Sequence, residues 1–394
     1  MEIEKLVYGG EGLARNEGRV ILVPFVLPGE QVRITEPTAR KGVARAEVEA
    51  IETPSPLRVA PGCEYFGACG GCQYQHTGYE HQLELKRGIL AEVLRRVGKI
   101  EPPETIGTIS GEPWGYRNRI QLHMSGGRLG FVEAGSHRLC PVTHCPISSP
   151  KLNQAIAVLS EMMRDRRWPN FLHSLELFTN EHEVQLNVTG AGRPVGRRFF
   201  EWCEERLPGV SQPAIDYESA GFRYRVGGKS FFQVNRFLIE ALVNAALDGE
   251  TGDRAVDLYA GVGLFSLPLA SRFVSLRAVE GSGTAARDLR FNLERAALGA
   301  ETPAEPVETF LDRLEQAPDF VLADPPRTGL GKRVVRRLCE LRPPRLTIVA
   351  CDPSTLARDL GALLASGYAL EALTLVDLFP QTMHIEAVAQ LRLR

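Results

Sequence analysis

A β-strand that runs through a glycine turn into a helix is the feature that most limits how this chain of 394 residues can fold. The strand begins near Arg254, and the turn that follows it contains Gly261 and Gly263. A second apolar strand, residues 274–279, comes next and ends at Glu280. Two parallel strands joined through a helix form a β–α–β unit, whose ligand side lies at the carboxyl ends of the strands. The pattern therefore predicts an α/β domain in this part of the chain.

The same alternation of apolar strands and helical patterns extends from about residue 221, and predicts a Rossmann-like α/β domain at 221–394. Residues 1–58 differ, because short strands are separated there by glycines and prolines, a spacing typical of a small OB-like β-barrel. The proline-rich residues 53–56 mark a linker. The region between, 59–220, contains cysteines and hairpin patterns, and is predicted to be a central α+β domain.

Charge does not decide the class of partner, because the formal net charge is −2. Two local runs are basic, one over residues 86–99 and one over residues 327–345. Each run alone is better explained as a solvated helix face, although several cations on one surface would also suit the phosphates of RNA. The N-terminal residues lack the apolar core of a secretory signal, and no apolar run reaches membrane-spanning length. We expect a cytoplasmic protein without a membrane partner.

The glycine turn and Glu280 together predict a ligand that carries a ribose. Glycines let the backbone approach a ligand closely, and a carboxylate at the next strand end suits two ribose hydroxyls. A dinucleotide-binding turn has a third glycine three residues after the second, and this chain has no glycine at that position. The difference disfavours a pyrophosphate at the helix N-terminus, so S-adenosylmethionine, which has no phosphate, fits better. An ordinary β–α–β unit with a capping glutamate is the alternative.

Reactive side chains follow further strands of the predicted sheet. Asp324 precedes two prolines, which fix a rigid loop at the ligand edge. Cys351 follows the next strand and lies close to the start of a helix, a position that favours the thiolate. A buried structural cysteine is the alternative, but a place at the ligand edge favours a functional role. His384 and Glu386 are polar exceptions at the start of the last apolar strand, and a solvent-exposed glutamate is the simpler explanation of Glu386.

Three cysteines at metal-ligand spacing form a separate feature. Cys63, Cys69 and Cys72 lie in a glycine-rich segment, and in a cytoplasmic protein such a group is more often a metal site than a disulfide framework. Cys140 and Cys145, each followed by proline, are the candidates for a fourth thiolate. Sites with four thiolates hold zinc or an iron–sulfur cluster, and the wide gap between the first two cysteines favours the cluster.

Five segments of this chain occur in the same order in the bacterial RNA uracil-5-methyltransferases, and the chain resembles that family over nearly its whole length. The segments are residues 231–235, 257–263, 324–329, 351–360 and 379–386. The N-terminal β-module is also similar to the TRAM domain of that family. Several independent motifs in one order make a chance match implausible.

The resemblance implies a class I S-adenosylmethionine-dependent methyltransferase domain that modifies carbon 5 of a uridine in RNA. The residues expected to contact S-adenosylmethionine are Gln233, Tyr259, Glu280 and Asp324. Cys351 would be the nucleophile that attacks carbon 6 of the base, and Glu386 the general base that removes the proton from carbon 5. In the family the cysteine group binds a [4Fe-4S] cluster, with the fourth ligand at the position of Cys145.

One departure from the family concerns the residue beside the nucleophile. Asp352 follows Cys351, where the family usually has asparagine. A carboxylate that pointed toward the thiol would disfavour the thiolate. The direction of the Asp352 side chain therefore matters for the expected chemistry.

The N-terminal β-module and the cysteine group are more similar to the family members that methylate 23S ribosomal RNA. The same chemistry on the T-loop uridine of tRNA is one alternative, and a non-catalytic iron–sulfur RNA-binding protein is another. The second alternative predicts loss of Cys351, Glu386 or Asp324, and all three are present. We expect RNA as the partner, no DNA partner, and a monomer.

Overall fold

The computed structural model describes residues 1–40, 42–210 and 212–394, and its N-terminal part is a small module of two sheets. The strands of this module are β1 (Lys5–Leu6), β2 (Glu11–Asn16), β3 (Arg19–Pro24), β4 (Gln31–Ile34), β5 (Thr38–Arg40), β6 (Val43–Arg45) and β7 (Val48–Thr53). One sheet has the order β1-β2-β3-β6-β5, and the other pairs β4 with β7. Alternation along β3 turns Ile21 and Val23 into a core shared with Val32 of β4. The predicted N-terminal β-module is therefore present.

A helix after this module packs against the C-terminal sheet, and a short strand joins the edge of that sheet. They are α1 (Tyr79–Val93), which continues into a π-helical turn (Leu94–Gly98), and β8 (Gly107–Ile109). Lys86 of α1 forms a fully buried ion pair with Asp377, with 2.6 Å between Nζ and Oδ1. A buried ammonium cannot contact an RNA phosphate, so the expectation of a basic surface over residues 86–99 is wrong at Lys86.

Many of the other cations in the two basic runs are paired with carboxylates. The pairs are Arg95–Glu101, Arg96–Glu92, Arg333–Asp312, Arg337–Glu340 and Arg345–Glu250. Most of these side chains are at least partly exposed, which agrees with the simpler explanation of solvated helix faces. The basic runs therefore add little to the argument for RNA.

The central region is an antiparallel sheet covered by helices. Its elements are β9 (Arg119–Ser125), β10 (Arg128–Val132), β11 (Leu139–Pro141), α2 (Pro150–Met162), β12 (Leu172–Thr179), β13 (Val184–Ala191) and α3 (Arg197–Arg206). The strand order is β11-β10-β9-β12-β13. α2 starts with a proline, and the Ser149 side chain caps it by accepting from the Leu152 backbone N–H. Leu152, Ile156 and Leu159 recur at helical spacing and are fully buried.

A hairpin spans the predicted boundary between residues 220 and 221. It consists of β14 (Ala214–Ser219) and β15 (Phe222–Gly227). The Asp288 carboxylate accepts hydrogen bonds from the Gly227 backbone N–H at 2.9 Å and from the Ser230 hydroxyl at 2.6 Å. The end of the hairpin is thus hydrogen-bonded to a helix in the C-terminal part of the chain. Strand patterns in the sequence do not reveal the sheet or helix on which a hairpin packs.

The C-terminal domain is a mixed sheet with helices on both faces, as the α/β pattern predicts. Its further elements are α4 (Ile239–Ala246), β16 (Gly252–Leu258), α5 (Ser266–Ala270), β17 (Phe273–Val279), α6 (Gly283–Arg295), α7 (Val307–Asp312), β18 (Phe320–Ala323), α8 (Gly331–Leu341), β19 (Arg345–Ala350), α9 (Pro353–Ala365), β20 (Tyr368–Val376) and β21 (Glu386–Leu393). The order is β17-β16-β18-β19-β21-β20-β8. β16 to β19 are parallel, and β21 runs antiparallel between β19 and β20.

Each face of this sheet has its own apolar core. In β19, Ile348 packs into one core and Val349 into the other, because successive side chains of a strand point to opposite faces. The predicted Rossmann-like fold is confirmed, and its buried strands explain the nearly continuous apolar runs of the sequence. In the described part of the chain, no helix is both long and apolar enough to cross a lipid bilayer.

Candidate active site

Three predicted site residues meet where central strands of the C-terminal sheet end. β18 ends just before Asp324 and β19 just before Cys351, and these strands are parallel neighbours. β21 starts at Glu386 and runs antiparallel beside β19, with Ala350 opposite Ala387. The next positions along the two strands are Cys351 and Glu386. The strand register therefore brings the thiol and the carboxyl group to the same point of the sheet edge.

Burial and charge favour the neutral forms of Cys351 and Glu386. The pKa of the half-buried Cys351 thiol is raised to about 12, chiefly by burial and then by Glu386 and Asp324, while Arg327 opposes the shift. Burial also raises the pKa of Glu386 well above its usual value; Asp324 adds to the effect and Arg327 again opposes it. Arg327 is exposed at this edge, and it is the cation that favours a thiolate here.

Gln233 reaches Asp324 from a segment that the central sheet holds in place. The distance from Gln233 Nε2 to Asp324 Oδ2 is 3.4 Å, and burial raises the pKa of Asp324 to about 7. The side-chain amide of Asn118 donates to the Gln233 carbonyl at 3.1 Å, and its backbone N–H donates to the Val234 carbonyl at 2.9 Å. Two domains therefore contribute to one edge of the site.

The glycine turn after β16 has the tight backbone that its sequence predicts. Gly261 has a φ of 56° and Gly263 a φ of 97°, both in the left-handed region that favours glycine. Tyr259 has a φ of 64° although it is not glycine, so its backbone is strained. The Tyr259 side chain is half-buried, and its pKa is raised first by burial and then by Glu308. Glu308 was not assigned from the sequence, and the structure brings it close to the turn.

Two carboxyl groups flank this turn. Glu280 accepts hydrogen bonds from the backbone N–H of Gly261 at 2.8 Å and of Ser282 at 2.6 Å. Asp257 is fully buried and accepts from the Ser266 hydroxyl at 2.5 Å through Oδ2, while its Oδ1 has no hydrogen-bond partner among the described residues. Burial, aided by the neighbouring carboxyl groups, raises the pKa of Asp257 to about 7. A buried acceptor without a partner next to a glycine turn suits a ligand with hydrogen-bond donors.

Asp352, beside the nucleophile candidate, caps α9. One carboxylate oxygen accepts hydrogen bonds from the backbone N–H of Ser354 at 2.9 Å and of Thr355 at 2.8 Å. This is the role that aspartate commonly has before the first turn of a helix, where the helix dipole also favours a negative charge. The carboxylate is thus directed to the helix start, although the sequence left open that it points toward Cys351.

The loop that leads into Glu386 is held by polar side chains from other parts of the chain. The Gln82 amide donates to Gln381 Oε1 at 2.9 Å and accepts from the Gln381 backbone N–H at 3.0 Å. The Tyr116 hydroxyl donates to the Pro380 carbonyl at 3.0 Å, and the Gln73 backbone N–H donates to the Gln381 carbonyl at 2.9 Å. These residues carry no recognisable sequence pattern, so they were not identified as part of the site.

The cysteine group lines a cavity of about 550 Å³ next to this loop. Cys63, Cys69, Cys72 and Cys145 all belong to its lining, together with Met383 of the loop. Burial raises the pKa of Cys69 to about 11 and of Cys72 to about 12, and the neighbouring thiols add to both shifts.

Cys140 does not line the cavity, because it is buried on β11. Of the two candidates for a fourth thiolate, Cys145 lines the cavity with the other three, whereas Cys140 is near Cys69 but outside the lining. Among the described residues, no three or more His, Cys, Asp or Glu side chains come close enough together to hold a single metal ion.

Comparisons with known proteins point to one family. The model of the tRNA (uracil-5-)-methyltransferase family matches residues 311–393, which include Asp324, Cys351 and Glu386. A 23S rRNA (uracil(1939)-C(5))-methyltransferase RlmD from Alkalilimnicola ehrlichii is 32% identical over 98% of this chain and 95% of its own. The protein of the same name from Pseudomonas fluorescens is 34% identical over 99% of this chain and 90% of its own.

A further relative and one solved structure are similar over nearly the whole chain. An uncharacterized RNA methyltransferase from Thermosynechococcus vestitus is 32% identical over 99% of this chain and 97% of its own. The crystal structure of the Pyrococcus abyssi tRNA (uracil-54, C5)-methyltransferase with S-adenosyl-L-homocysteine has a TM-score of 0.77 and 26% identity, and the match covers 99% of both chains. The similarity therefore includes the N-terminal module and the cysteine region as well as the C-terminal sheet.

Proposed function

The chain belongs to the RNA uracil-5-methyltransferase family, and on that premise we propose that it transfers a methyl group from S-adenosylmethionine to carbon 5 of a uridine in RNA. One observation carries the proposal. Cys351 directly follows β19 and Glu386 begins β21, so both lie next to the paired residues Ala350 and Ala387, and Asp324 directly follows the adjacent strand β18. A nucleophile and a separate carboxyl group at one point are the minimum set for this reaction.

The chemistry explains why both groups are needed. Carbon 5 of uracil is a poor nucleophile until the Cys351 thiolate adds to carbon 6, which converts the ring to an enolate. S-adenosylmethionine supplies the methyl group to carbon 5 when it is bound. Glu386 then removes the proton from carbon 5, the ring double bond forms again, and the Cys351 thiolate leaves carbon 6. The uridine must leave its stack to reach this edge of the sheet.

Proton transfer in this scheme fits the electrostatics of the site. The raised pKa of Glu386 makes its carboxylate a stronger base than an exposed glutamate. Because its pKa is raised, Cys351 is a neutral thiol at rest; its proton passes to water when the thiolate forms, and Arg327 favours that thiolate. Glu386 must therefore be ionised before it can accept the proton from carbon 5.

The glycine turn and Asp324 are the proposed place of S-adenosylmethionine. Gln233, Tyr259, Glu280 and Asp324 are the residues proposed to hold it, and the partnerless Asp257 Oδ1 supports a ligand beside the turn. The carboxylate of Glu280 already accepts two backbone hydrogen bonds, so it would receive the ribose hydroxyls with its remaining lone pairs. The carboxyl ends of parallel strands are the usual ligand position in this fold.

We assign 23S ribosomal RNA as the substrate, in the cytoplasm and with the protein acting as a monomer. Support for this RNA comes from relatives that carry the name of a 23S rRNA methyltransferase and match nearly the whole chain. A uridine in tRNA is the second candidate, because the similar solved structure is a tRNA methyltransferase. The N-terminal module is assigned as a TRAM-like RNA-binding domain.

The cysteine cavity is assigned to a [4Fe-4S] cluster. Four thiol groups in the lining of one cavity, each from a free cysteine, suit a cluster held by four thiolates. Cys63, Cys69, Cys72 and Cys145 would be the ligands. Such a group would stabilise the region that contacts the loop before Glu386.

The proposal is tested with purified protein, methyl-labelled S-adenosylmethionine, and transcripts of 23S rRNA and of tRNA. We expect label in one or two uridines of 23S rRNA, mapped as 5-methyluridine after nuclease digestion. Cys351→Ala should abolish labelling, whereas the matched variant Cys339→Ala, a cysteine of α8, should not. Label only in tRNA would show that tRNA, not 23S rRNA, is the substrate. Label at an atom other than carbon 5 would refute the proposed reaction.

A further inference from the structure

Asn118 of the central domain donates hydrogen bonds to the segment that carries Gln233. It lies directly before β9, and its side chain is fully buried. Its Nδ2 donates to the Gln233 carbonyl at 3.1 Å and to the Tyr217 hydroxyl at 3.2 Å. Its backbone N–H donates to the Val234 carbonyl at 2.9 Å. Two of these three hydrogen bonds therefore end on consecutive residues of that segment.

Asn118 is itself fixed by the central sheet. The backbone N–H of Thr179, at the end of β12, donates to the Asn118 carbonyl at 2.9 Å. The neighbouring Arg119 donates through its guanidinium group to the Ser230 carbonyl at 3.0 Å, at the start of the same segment. The Ser230 hydroxyl in turn donates to the Asp288 carboxylate at 2.6 Å. Residues 230–234 are thus held between the central domain and the C-terminal domain.

The residues on either side of Gln233 are also held in place. Phe232 is buried, and its ring centroid lies 4.8 Å from that of Tyr217. Val234 is buried as well, and its carbonyl is bound by the Asn118 backbone. The Asn118 amide binds the carbonyl between these two residues. The direction of the Gln233 side chain therefore depends on a backbone that Asn118 fixes.

The Asn118 amide serves as a donor rather than as an acceptor. Its Oδ1 is buried and has no hydrogen-bond partner in the part of the chain that the structure describes. The opposite orientation of the amide would place this oxygen against the Gln233 carbonyl. Leucine, which has a similar shape, would remove the unpaired oxygen but leave the Gln233 carbonyl without this donor, so the two residues should be about equally stable here. Stability alone therefore does not explain an asparagine at this position.

We propose that Asn118 is a positioning residue for cofactor binding: its amide holds the Gln233 carbonyl and so directs the Gln233 side chain to the ligand edge beside Asp324. The inference rests on the proposed function, in which Gln233 contacts S-adenosylmethionine. It assigns the central domain a part in cofactor binding. The sequence gives no sign of this role, because Asn118 is distant along the chain from every predicted cofactor residue.

The test measures cofactor affinity, so it needs neither RNA nor methyl transfer. S-adenosyl-L-homocysteine is titrated into full-length protein in a calorimeter. Asn118→Leu should weaken binding at least about threefold, which is the scale of one lost hydrogen bond. The midpoint of denaturant unfolding should stay close to that of the wild type, because one unpaired buried carbonyl replaces another. If Asn118→Leu does not fold, folded Asn118→Ala, which also lacks the donor, should show the same loss of affinity.

A double-mutant cycle shows whether Asn118 acts through Gln233. Gln233→Met removes the side-chain amide and keeps the backbone carbonyl. In this background Asn118→Leu should change the affinity by less than about 1.5-fold, because no side-chain contact remains to be positioned. Tyr217→Phe is the matched control, since it removes the other acceptor of the same Asn118 amide and should leave the affinity within about 1.5-fold of the wild type.

Three results would overturn the inference: unchanged affinity in the Asn118 variants, an equal loss in both backgrounds, or an equal loss in Tyr217→Phe. Failure of the proposed cofactor contact would look different. Wild-type affinity in Gln233→Met would refute the assignment of Gln233 itself, and the role of Asn118 with it. Weakened binding in Gln233→Met together with unchanged binding in Asn118→Leu would overturn only the role of Asn118.

Discussion

Lys86 of α1 and Asp377, at the end of β20, form an ion pair of 2.6 Å in which both side chains are almost completely shielded from water. Lys86 Nζ also donates to the Phe379 carbonyl at 2.9 Å. Burial lowers the pKa of Lys86, and Asp377 opposes that shift. The pair therefore connects the segment after the N-terminal module to the loop before Glu386.

The first prediction concerns this pair. Lys86→Met should lower the free energy of unfolding by about 3–5 kcal/mol, because Asp377 would remain as an unpaired buried charge. The double variant Lys86→Met/Asp377→Leu should recover most of that loss, and Lys332→Met on the exposed face of α8 should have little effect. Denaturant titrations measure all three. An equal loss in the single and double variants would show that the charge is not the cause.

The second prediction separates the roles of Cys351 and Glu386. Cys351→Ala should form no covalent complex with RNA, because the first bond cannot form. Glu386→Gln should still attack and methylate, then stall before the thiolate leaves, since the base is needed last. A denaturing gel should show a slow band that carries the methyl label only for Glu386→Gln. Full turnover by Glu386→Gln, or an adduct with Cys351→Ala, would contradict this order of steps.

The third prediction concerns pH. The pKa of Asp257 is raised to about 7 in the folded protein, above the value of about 3.9 expected when unfolded. The folded state holds this proton more tightly than the unfolded state. Protonated Asp257 therefore adds to the free energy of unfolding at acid pH, and this stabilisation is lost as the pH rises from about 4 to about 7. In Asp257→Asn the free energy of unfolding should therefore change less between pH 4 and pH 7 than in the wild type, by roughly a few kcal/mol.

Chemical denaturation at several pH values provides the measurement. The exposed Asp253→Asn is the matched control, and it should leave the slope unchanged. If Asp257→Asn and the wild type have parallel curves between pH 4 and pH 8, Asp257 does not titrate as its burial implies.

The fourth prediction concerns the cysteine cavity. Protein purified without oxygen should be brown and contain about four irons per chain, as a [4Fe-4S] cluster requires. Cys69→Ser and Cys145→Ser should lose the colour, whereas Cys140→Ser should keep it because Cys140 lies outside the cavity lining. Metal analysis measures the iron content of each variant, and absorption spectra measure its colour. Stoichiometric zinc without iron would contradict the assignment.

The sequence predicted what depends on local pattern. Asp324 and Cys351 were expected at one edge of the sheet because each follows an apolar strand and parallel strands end at the same edge, and the structure places them there. The closeness of Cys351 and Glu386 could not be predicted from local pattern, because it depends on the insertion of β21 between β19 and β20. Nothing in the local pattern determines that pairing.

Charge patterns were a poorer guide than strand ends. Lys86 was counted in a basic run, yet its ammonium group is buried against Asp377, which is far away in the sequence. Gln82 is likewise defined by its hydrogen-bond partner Gln381 rather than by its neighbours along the chain. Contacts of this kind arise from packing between domains, and one sequence has no periodicity that records them.

The insertion of β21 has a consequence for how the protein is made. The ribosome synthesises β19 and β20 before β21, so each of these two strands lacks its β21 neighbour until Glu386–Leu393 has left the exit tunnel. A nascent chain at that stage exposes two open strand edges, which are sites for mispairing and aggregation. Under the proposed mechanism methyl transfer cannot occur during this period, because β21 also carries Glu386, the proposed general base. Translation thus delays activity until the sheet is complete.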